Sequence, residues 1–291
     1  MHTFNDLKES LKYRLAYRAS TPLSRLLSGL GRGKYGHGPR LTRAEPLVGL
    51  GLPVESVSID IEDVRDFWRG LAARSERLRG LVEAEPFWQK IPQYYFTWKT
   101  LQPILSGAGS VYVDVAGTAD SPYHEMLRLL AGTPKVYIQD LKFPPGVNGN
   151  MIGGSAADLP LPDASVDAMT LHCSIEHFEG DADTGFVKEA GRVLRPGGKV
   201  CIVPLYLGQY PFILCDPSWG RDITADKDTV VHFNPRWGER HGRFYSGETL
   251  SARILRPAEE SGLAARIMHF KNVLDLNPEA YTHFGLILEK T

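Results

Sequence analysis

Residues 110–118 read Ser110-Val-Tyr-Val-Asp-Val-Ala-Gly-Thr118, a β-branched and aromatic run ending on an acid, a small residue and a glycine. Such a run, apolar on both faces, reads as an interior strand of a parallel sheet. Working outward, similar runs stand at 135–139, 150–153, 167–172 and 199–205, separated by helical stretches. Two more, 264–273 and 283–289, flank Asn277-Pro278 and fit a terminal hairpin. That alternation predicts a mostly parallel sheet with helices on both faces. In an open sheet of this kind ligands bind beyond the carboxyl ends of the strands. The candidate ligand-facing residues are therefore the ones that follow each run, beginning with Asp114, Ala116, Gly117 and Thr118.

The second run ends on Asp140, an acid placed to accept hydrogen bonds from two ribose hydroxyls. The third is followed by Gly154-Ser-Ala-Ala-Asp-Leu-Pro160. Then come Leu159-Pro-Leu-Pro-Asp-Ala-Ser-Val-Asp167, Ser174-Ile-Glu-His-Phe178, Glu189, and Arg192-Val-Leu-Arg-Pro-Gly-Gly198. The Arg195-Pro-Gly-Gly198 segment reads as a turn feeding the fifth strand.

In order and spacing these pieces resemble the class I S-adenosylmethionine-dependent methyltransferase family across residues 108–207, and more loosely in the C-terminal pair. The resemblance implies an α/β fold, a Rossmann-like seven-stranded methyltransferase sheet with an N-terminal helical extension. It implies S-adenosyl-L-methionine as cofactor, with Asp140 and the adjoining Leu141 at its ribose. The turn at Asp114, Ala116, Gly117 and Thr118 would take its methionine end, and Ser155 and Ala156 its adenine. Two departures are visible. The family carries glycines at alternate positions after the acid, where this chain has Ala116, Thr118 and Asp120, with Gly117 shifted by one. It also usually has an aspartate where Ser155 stands. Thr118 and Asp120 narrow the site unless the turn takes another shape.

Methyl transfer is an in-line displacement governed by positioning, and a hydroxyl acceptor needs a base for its proton. His172, closing the fourth run, is the candidate base because an unperturbed imidazole titrates near neutrality. Glu176 and His177 follow within one turn as further catalytic candidates; the resemblance gives His177 a structural task. These residues imply an O-methyltransferase acting on a hydroxyl of a small polar acceptor. The alternative is a catalytically silent methyltransferase-like domain that binds or scaffolds a partner.

Segment 208–246 interrupts the pattern as an insertion. It mixes Tyr210, Phe212, Trp219, Phe233 and Trp237 with Asp216, Asp222, His232, Arg236, Arg240 and His241. Rings that stack on sugar faces among groups that fix hydroxyls suit a saccharide, so a sugar or glycan precursor is the expected acceptor. His232 and His241 lie too far apart for a recognised ligand spacing, and no metal site is assigned.

The domain division expected is a helical extension or cap over 1–106 and a methyltransferase domain over 107–291. Residues 1–43 hold nine Lys or Arg against Asp6 and Glu9. Phe4, Leu7, Leu11 and Leu15 recur among them at helical spacing. A basic amphipathic helix suits packing on its own domain, a homodimer partner or an anionic membrane surface. Asp60 is a candidate N-cap for a helix carrying Val64, Phe67, Trp68 and Leu71, and Pro86 can open an aromatic-rich one.

The chain of 291 residues has a net charge of −1, which gives no pull toward nucleic acid. It shows no apolar run long enough to span a bilayer and no apolar leader. Three cysteines without a Cys-x-x-Cys pair imply reduced thiols and a cytoplasmic location. Cys173 and Cys201 are expected in buried strands and Cys215 in a loop.

Overall fold

A computed structural model describes residues 34–36, 38–132, 134–219 and 223–291. The basic amphipathic stretch over 1–30, the membrane and dimer readings that rest on it, and Asp222 lie outside the described residues. The chain divides into two compact units.

The larger unit holds residues 42–175, 181–205 and 247–291. Its sheet has eight strands, in the order Val54–Val57, Leu263–Phe270, Phe284–Lys290, Leu194–Val203, Val166–His172, Val111–Val115, Lys135–Asn148 and Met151–Gly153. All seven strands expected from the sequence are present, and the pair 263–270 and 284–290 is antiparallel. The count of seven is corrected by the eighth strand, Val54–Val57. It comes from the N-terminal region and pairs in parallel with Leu263–Phe270, Val54 opposite Ile267.

The strand Val111–Val115 is buried apart from Val111, as a strand covered on both faces must be. It lies between Val166–His172 and Lys135–Asn148, so the order of connections reverses beside it. That reversal opens a crevice at the strands' carboxyl ends.

Helix Ile61–Arg74 starts where Asp60 Oδ1 accepts from the backbone N–H of Glu62 and Asp63 at 3.0 and 3.1 Å. Helix Pro122–Leu130 starts at Ser121, whose Oγ accepts from Tyr123 N, with Pro122 fixing the first turn. The helix Ile91–Leu105 packs on strands Val166–His172 and Leu194–Val203. Its aromatic residues close a core in which Trp68 meets Phe87 edge-on at 5.3 Å, and Phe87 stacks on Tyr94 at 6.0 Å.

The residues that carry the strongest likeness are structural locks. Arg192 donates to Glu189, to Asp163 and to the carbonyls of Leu159 and Leu161, while Glu189 Oε1 accepts from Leu159 N. Asp167 Oδ2 accepts from Val111 N at 2.7 Å and from Arg195 at 2.6 Å. The Arg195–Gly198 turn lies within the strand Leu194–Val203, as a loop between its pairings with Val166 and Ala168.

The smaller unit takes described residues from 34–41 together with 176–180 and 206–246. Its four strands run in the order Lys34–Tyr35, Val230–Phe233, Phe212–Cys215, Gly242–Phe244. The expected insertion is therefore the body of a small sheet with its own core. Phe212 and Phe244 stack at 4.3 Å and 11°, and Tyr206 lies 5.0 Å from Phe244. Phe212, Phe233, Tyr206 and Phe244 are all buried. Phe212 and Phe244 are committed to each other, whereas Trp219 is 48% exposed and Tyr210 and Trp237 are half-buried. Cys215, expected in a loop, ends a strand and is buried.

Among the described residues no helix is long and apolar enough to cross a membrane.

Candidate active site

The turn after Val111–Val115 solves the missing-glycine problem in its own way. Ala116 takes a left-handed conformation, φ 50°, which the family's glycine would adopt without cost. Gly117 is required for a different reason, because a Cβ there would stand 2.5 Å from the Asp114 carboxylate. Gln139, buried in the neighbouring strand, holds the turn. Its Oε1 accepts from Ala116 N at 3.0 Å, its backbone carbonyl accepts from Gly117 N, and its Nε2 donates to Gly154 O at 2.6 Å. One side chain thus ties the first and third strand-end loops together. From the other side Arg77 donates to the carbonyl of Asp120.

Asp114 is almost wholly buried. Its Oδ1 accepts from Thr170 Oγ1 at 3.1 Å, and His124 Nε2 lies 2.8 Å from its Oδ2. Thr170 also meets the Tyr112 hydroxyl at 2.5 Å. Asp114 therefore acts as the hub of a buried polar chain under the turn.

The turn opens on a cavity of about 620 Å³ within the larger unit. Asp114, Ala116, Gly117, Thr118, Asp120 and Ser121 form one wall. Arg77, Leu81, Phe87, Lys90 and Tyr94 form another, and His172 and Cys173 close it at the strand end. His172 sits between Tyr94 and Tyr123, its ring centre 5.0 and 4.9 Å from theirs. Its Nε2 lies 3.1 Å from Thr97 Oγ1. Its Nδ1 is shielded from solvent and has no hydrogen-bond partner. Burial pulls its pKa down to about 4, against the pull of Asp114, so the ring is neutral at pH 7. Cys173 follows in a left-handed conformation, φ 52°, with Sγ 3.3 Å from Gln93 Oε1. Strain at a strand end beside a cavity is a recurrent mark of a working site.

The other sequence candidates stand elsewhere. Asp140 ends its segment of strand half-buried, its Oδ1 accepting from Lys142 N at 2.9 Å and its Oδ2 3.5 Å from Lys142 Nζ. Leu141 beside it is 77% exposed. Ser155 Oγ accepts from Ala157 N, and Ala156 is buried. None of these four lines the cavity. Residues 143–144 cross so close above Gly153 that a Cβ there would meet Pro144 O at 2.0 Å.

His172 belongs to the larger unit, Glu176 and His177 to the smaller one. Within that unit Glu176 is buried with Oε2 unpartnered and His177 Nε2 3.7 Å from Oε1. The His241 ring meets Glu176 O at 2.9 Å through Nδ1, and His177 Nδ1 meets His241 O at 2.6 Å. Burial raises the Glu176 pKa to about 7 and lowers that of His241 to about 4. His232 Nε2 is 3.1 Å from the Tyr210 hydroxyl. No group of three or more potential metal ligands occurs among the described residues.

Sequence reasoning missed Gln139, Thr97 and His124. Each sits mid-element with no local motif, and only the fold brings it to the strand ends.

A doubly wound sheet with a cavity at its switch point, a tight turn after the first strand and a shielded imidazole closing the fourth has the layout in which an open α/β sheet takes a ligand. Residues 132–202 match the family model described as a methyltransferase domain. A Mycolicibacterium smegmatis protein described as "Probable S-adenosylmethionine-dependent methyltransferase" is 56% identical over 45 residues, 16% of this chain and 17% of that protein. Residues 132–202 are thus similar to a methyltransferase domain, and the 45-residue stretch to a protein described as S-adenosylmethionine-dependent. The match spans less than one fifth of the length of that relative.

Among solved structures, a Burkholderia thailandensis 1,6-didemethyltoxoflavin-N1-methyltransferase bound to S-adenosylhomocysteine is similar at 12% identity and TM-score 0.41, over 81% of this chain and 92% of that one. Streptomyces coelicolor geranyl diphosphate C-methyltransferase is similar at 15% identity and TM-score 0.42, over 90% and 92%. Nothing about this chain's substrate follows from likenesses of that size.

Proposed function

We propose that the protein is an S-adenosylmethionine-dependent O-methyltransferase acting on a hydroxyl of a small-molecule acceptor. The observation that carries this reading is His172 Nδ1, shielded and unpartnered, at the rim of the same cavity as the 114–121 turn.

The residues fit the cofactor. Ala116 already takes the glycine-like conformation, and the turn leaves an open cavity in front of it. Asp114, Ala116, Gly117 and Thr118 would face the methionine end; Asp140, on the neighbouring strand and outside the cavity lining, would take the ribose. When bound, the cofactor supplies a methyl group on a positively charged sulfur. The chain's own task is to aim the acceptor oxygen and take its proton.

Thr97 lies on a helix, where its hydroxyl can donate to a backbone carbonyl one turn back. It then accepts from His172 Nε2–H, which leaves the Nδ1 lone pair free to receive the acceptor's proton. Asp114 stabilises the resulting imidazolium through the field that already opposes the fall in its pKa.

A sugar or glycan precursor as that acceptor rests on the composition of 208–246 alone. The test is calorimetry with S-adenosylhomocysteine. Binding in the micromolar range is expected; no heat at millimolar ligand overturns the proposal. The same titration discriminates against a silent scaffold.

A further inference from the structure

The cavity has two chemically distinct walls. One is the polar turn 114–121. The other is built by the helical segment 77–94, and its side chains are Leu81, Phe87 and Tyr94 with Arg77 and Lys90. Phe87 and Tyr94 are fixed in place by Trp68, and Tyr94 also stacks on Tyr123 at 6.1 Å. Rigid aromatic walls hold planar apolar bodies well. The two cations differ. Arg77 is tied to the carbonyl of Asp120 and so belongs to the turn. Lys90 lines the cavity and has no ion pair among the described residues.

We infer that the methyl acceptor is a planar aromatic hydroxyl compound bearing an anionic group, its ring seated on Leu81, Phe87 and Tyr94 and its anion held by Lys90. The inference rests on the O-methyltransferase reading above and names the substrate class of that same cavity. Acid–base matching supports it. His172 is a weak base at about pKa 4. Proton transfer to it is far less uphill from a phenol, near about 10, than from an aliphatic hydroxyl, which is closer to water at about 16. In the balanced step the acceptor's O–H bond breaks, the proton passes to His172 Nδ1, and the oxygen's electron pair forms the new C–O bond. The C–S bond electrons stay with the departing thioether.

The experiment titrates 4-hydroxybenzoate, phenol and methyl glucoside into the full chain, with and without saturating S-adenosylhomocysteine. The ranking expected is hydroxybenzoate first, phenol about three- to fivefold weaker, as an exposed ion pair allows, and no glucoside binding. Lys90→Ala should abolish the preference for hydroxybenzoate over phenol, and Lys90→Arg should restore it, with S-adenosylhomocysteine affinity unchanged. Glucoside binding as tight as hydroxybenzoate overturns the inference. So does loss of S-adenosylhomocysteine affinity in Lys90→Ala with the acceptor ranking intact, which would assign Lys90 to the cofactor. If S-adenosylhomocysteine binds and no aromatic does, the inference falls and the methyltransferase reading stands. If S-adenosylhomocysteine fails to bind, that reading falls, and the ligand-alone titrations still decide whether the cavity prefers an aryl acid.

Discussion

Thr97 Oγ1 lies 3.1 Å from His172 Nε2, so a helix of the N-terminal region supplies the hydrogen-bond partner of the imidazole that ends strand Val166–His172. Thr97→Val keeps shape and removes the acceptor. The expected result is a fall in kcat of about tenfold to a hundredfold with KM little changed, and recovery in Thr97→Ser. Nitrogen chemical shifts of His172 offer a reading independent of turnover, which should report the Nε2–H form in the wild type and a mixture in the valine variant. An unchanged tautomer would remove Thr97 from the mechanism.

His172 should also show in the pH profile. With its pKa held down at about 4, activity should persist down to about pH 5 before the base is lost. An acidic limb near pH 6.5 would mean that the ring is not enclosed in the working enzyme.

At the turn, Gly117→Ala drives a Cβ to 2.5 Å from the Asp114 carboxylate. S-adenosylhomocysteine binding should fall below detection, and thermal stability should drop. Ala116→Gly relieves a left-handed alanine worth about 1–2 kcal/mol but loosens the unfolded chain by about 0.5–1. The net change expected by urea denaturation is a gain between zero and about 1.5 kcal/mol, with cofactor binding retained.

Asp140→Ala should weaken S-adenosylhomocysteine about tenfold or more, as loss of charge-assisted hydrogen bonds to a ribose predicts. Lys142→Ala, which frees the carboxylate from its neighbour, should leave affinity equal or tighter. Calorimetry on both variants checks the pair.

Glu176 gives a stability signature. Its folded pKa of about 7 lies above the ordinary 4.5, so the folded state holds the proton more tightly. The contribution is complete below about pH 4.5 and is lost as pH rises through 7, at most about 3 kcal/mol. His241, held down at about 4, acts in the opposite sense as pH falls from 6.5. Urea midpoints of Glu176→Gln should therefore lose the decline between pH 5 and 8 that wild type shows. Parallel curves would place Glu176 in contact with water.

The sheet was largely readable because interior strands must be apolar on both faces, and Val111–Val115 and Val166–His172 are. Val54-Glu-Ser-Val57 escaped notice because it is a short edge strand with an exposed centre, whose only signature is a partner more than two hundred residues away. The cavity's strand-end residues, His172 above all, followed from topology. Thr97 and Gln139 did not, since nothing local distinguishes a helix threonine that meets an imidazole from one that faces solvent. Composition alone does not separate two outcomes at 208–246, because aromatic and polar residues at that density describe a small core as well as a sugar platform.

The pairing of Val54 with Ile267 has a consequence for the order in which the chain is made. During synthesis the edge strand 54–57 emerges early and has no partner until residues 263–270 leave the ribosome. Pairings of such long sequence separation form late and slowly. A nascent chain stalled short of residue 263 should therefore remain protease-sensitive between residues 50 and 60, and release of the final segment should protect both ends at once.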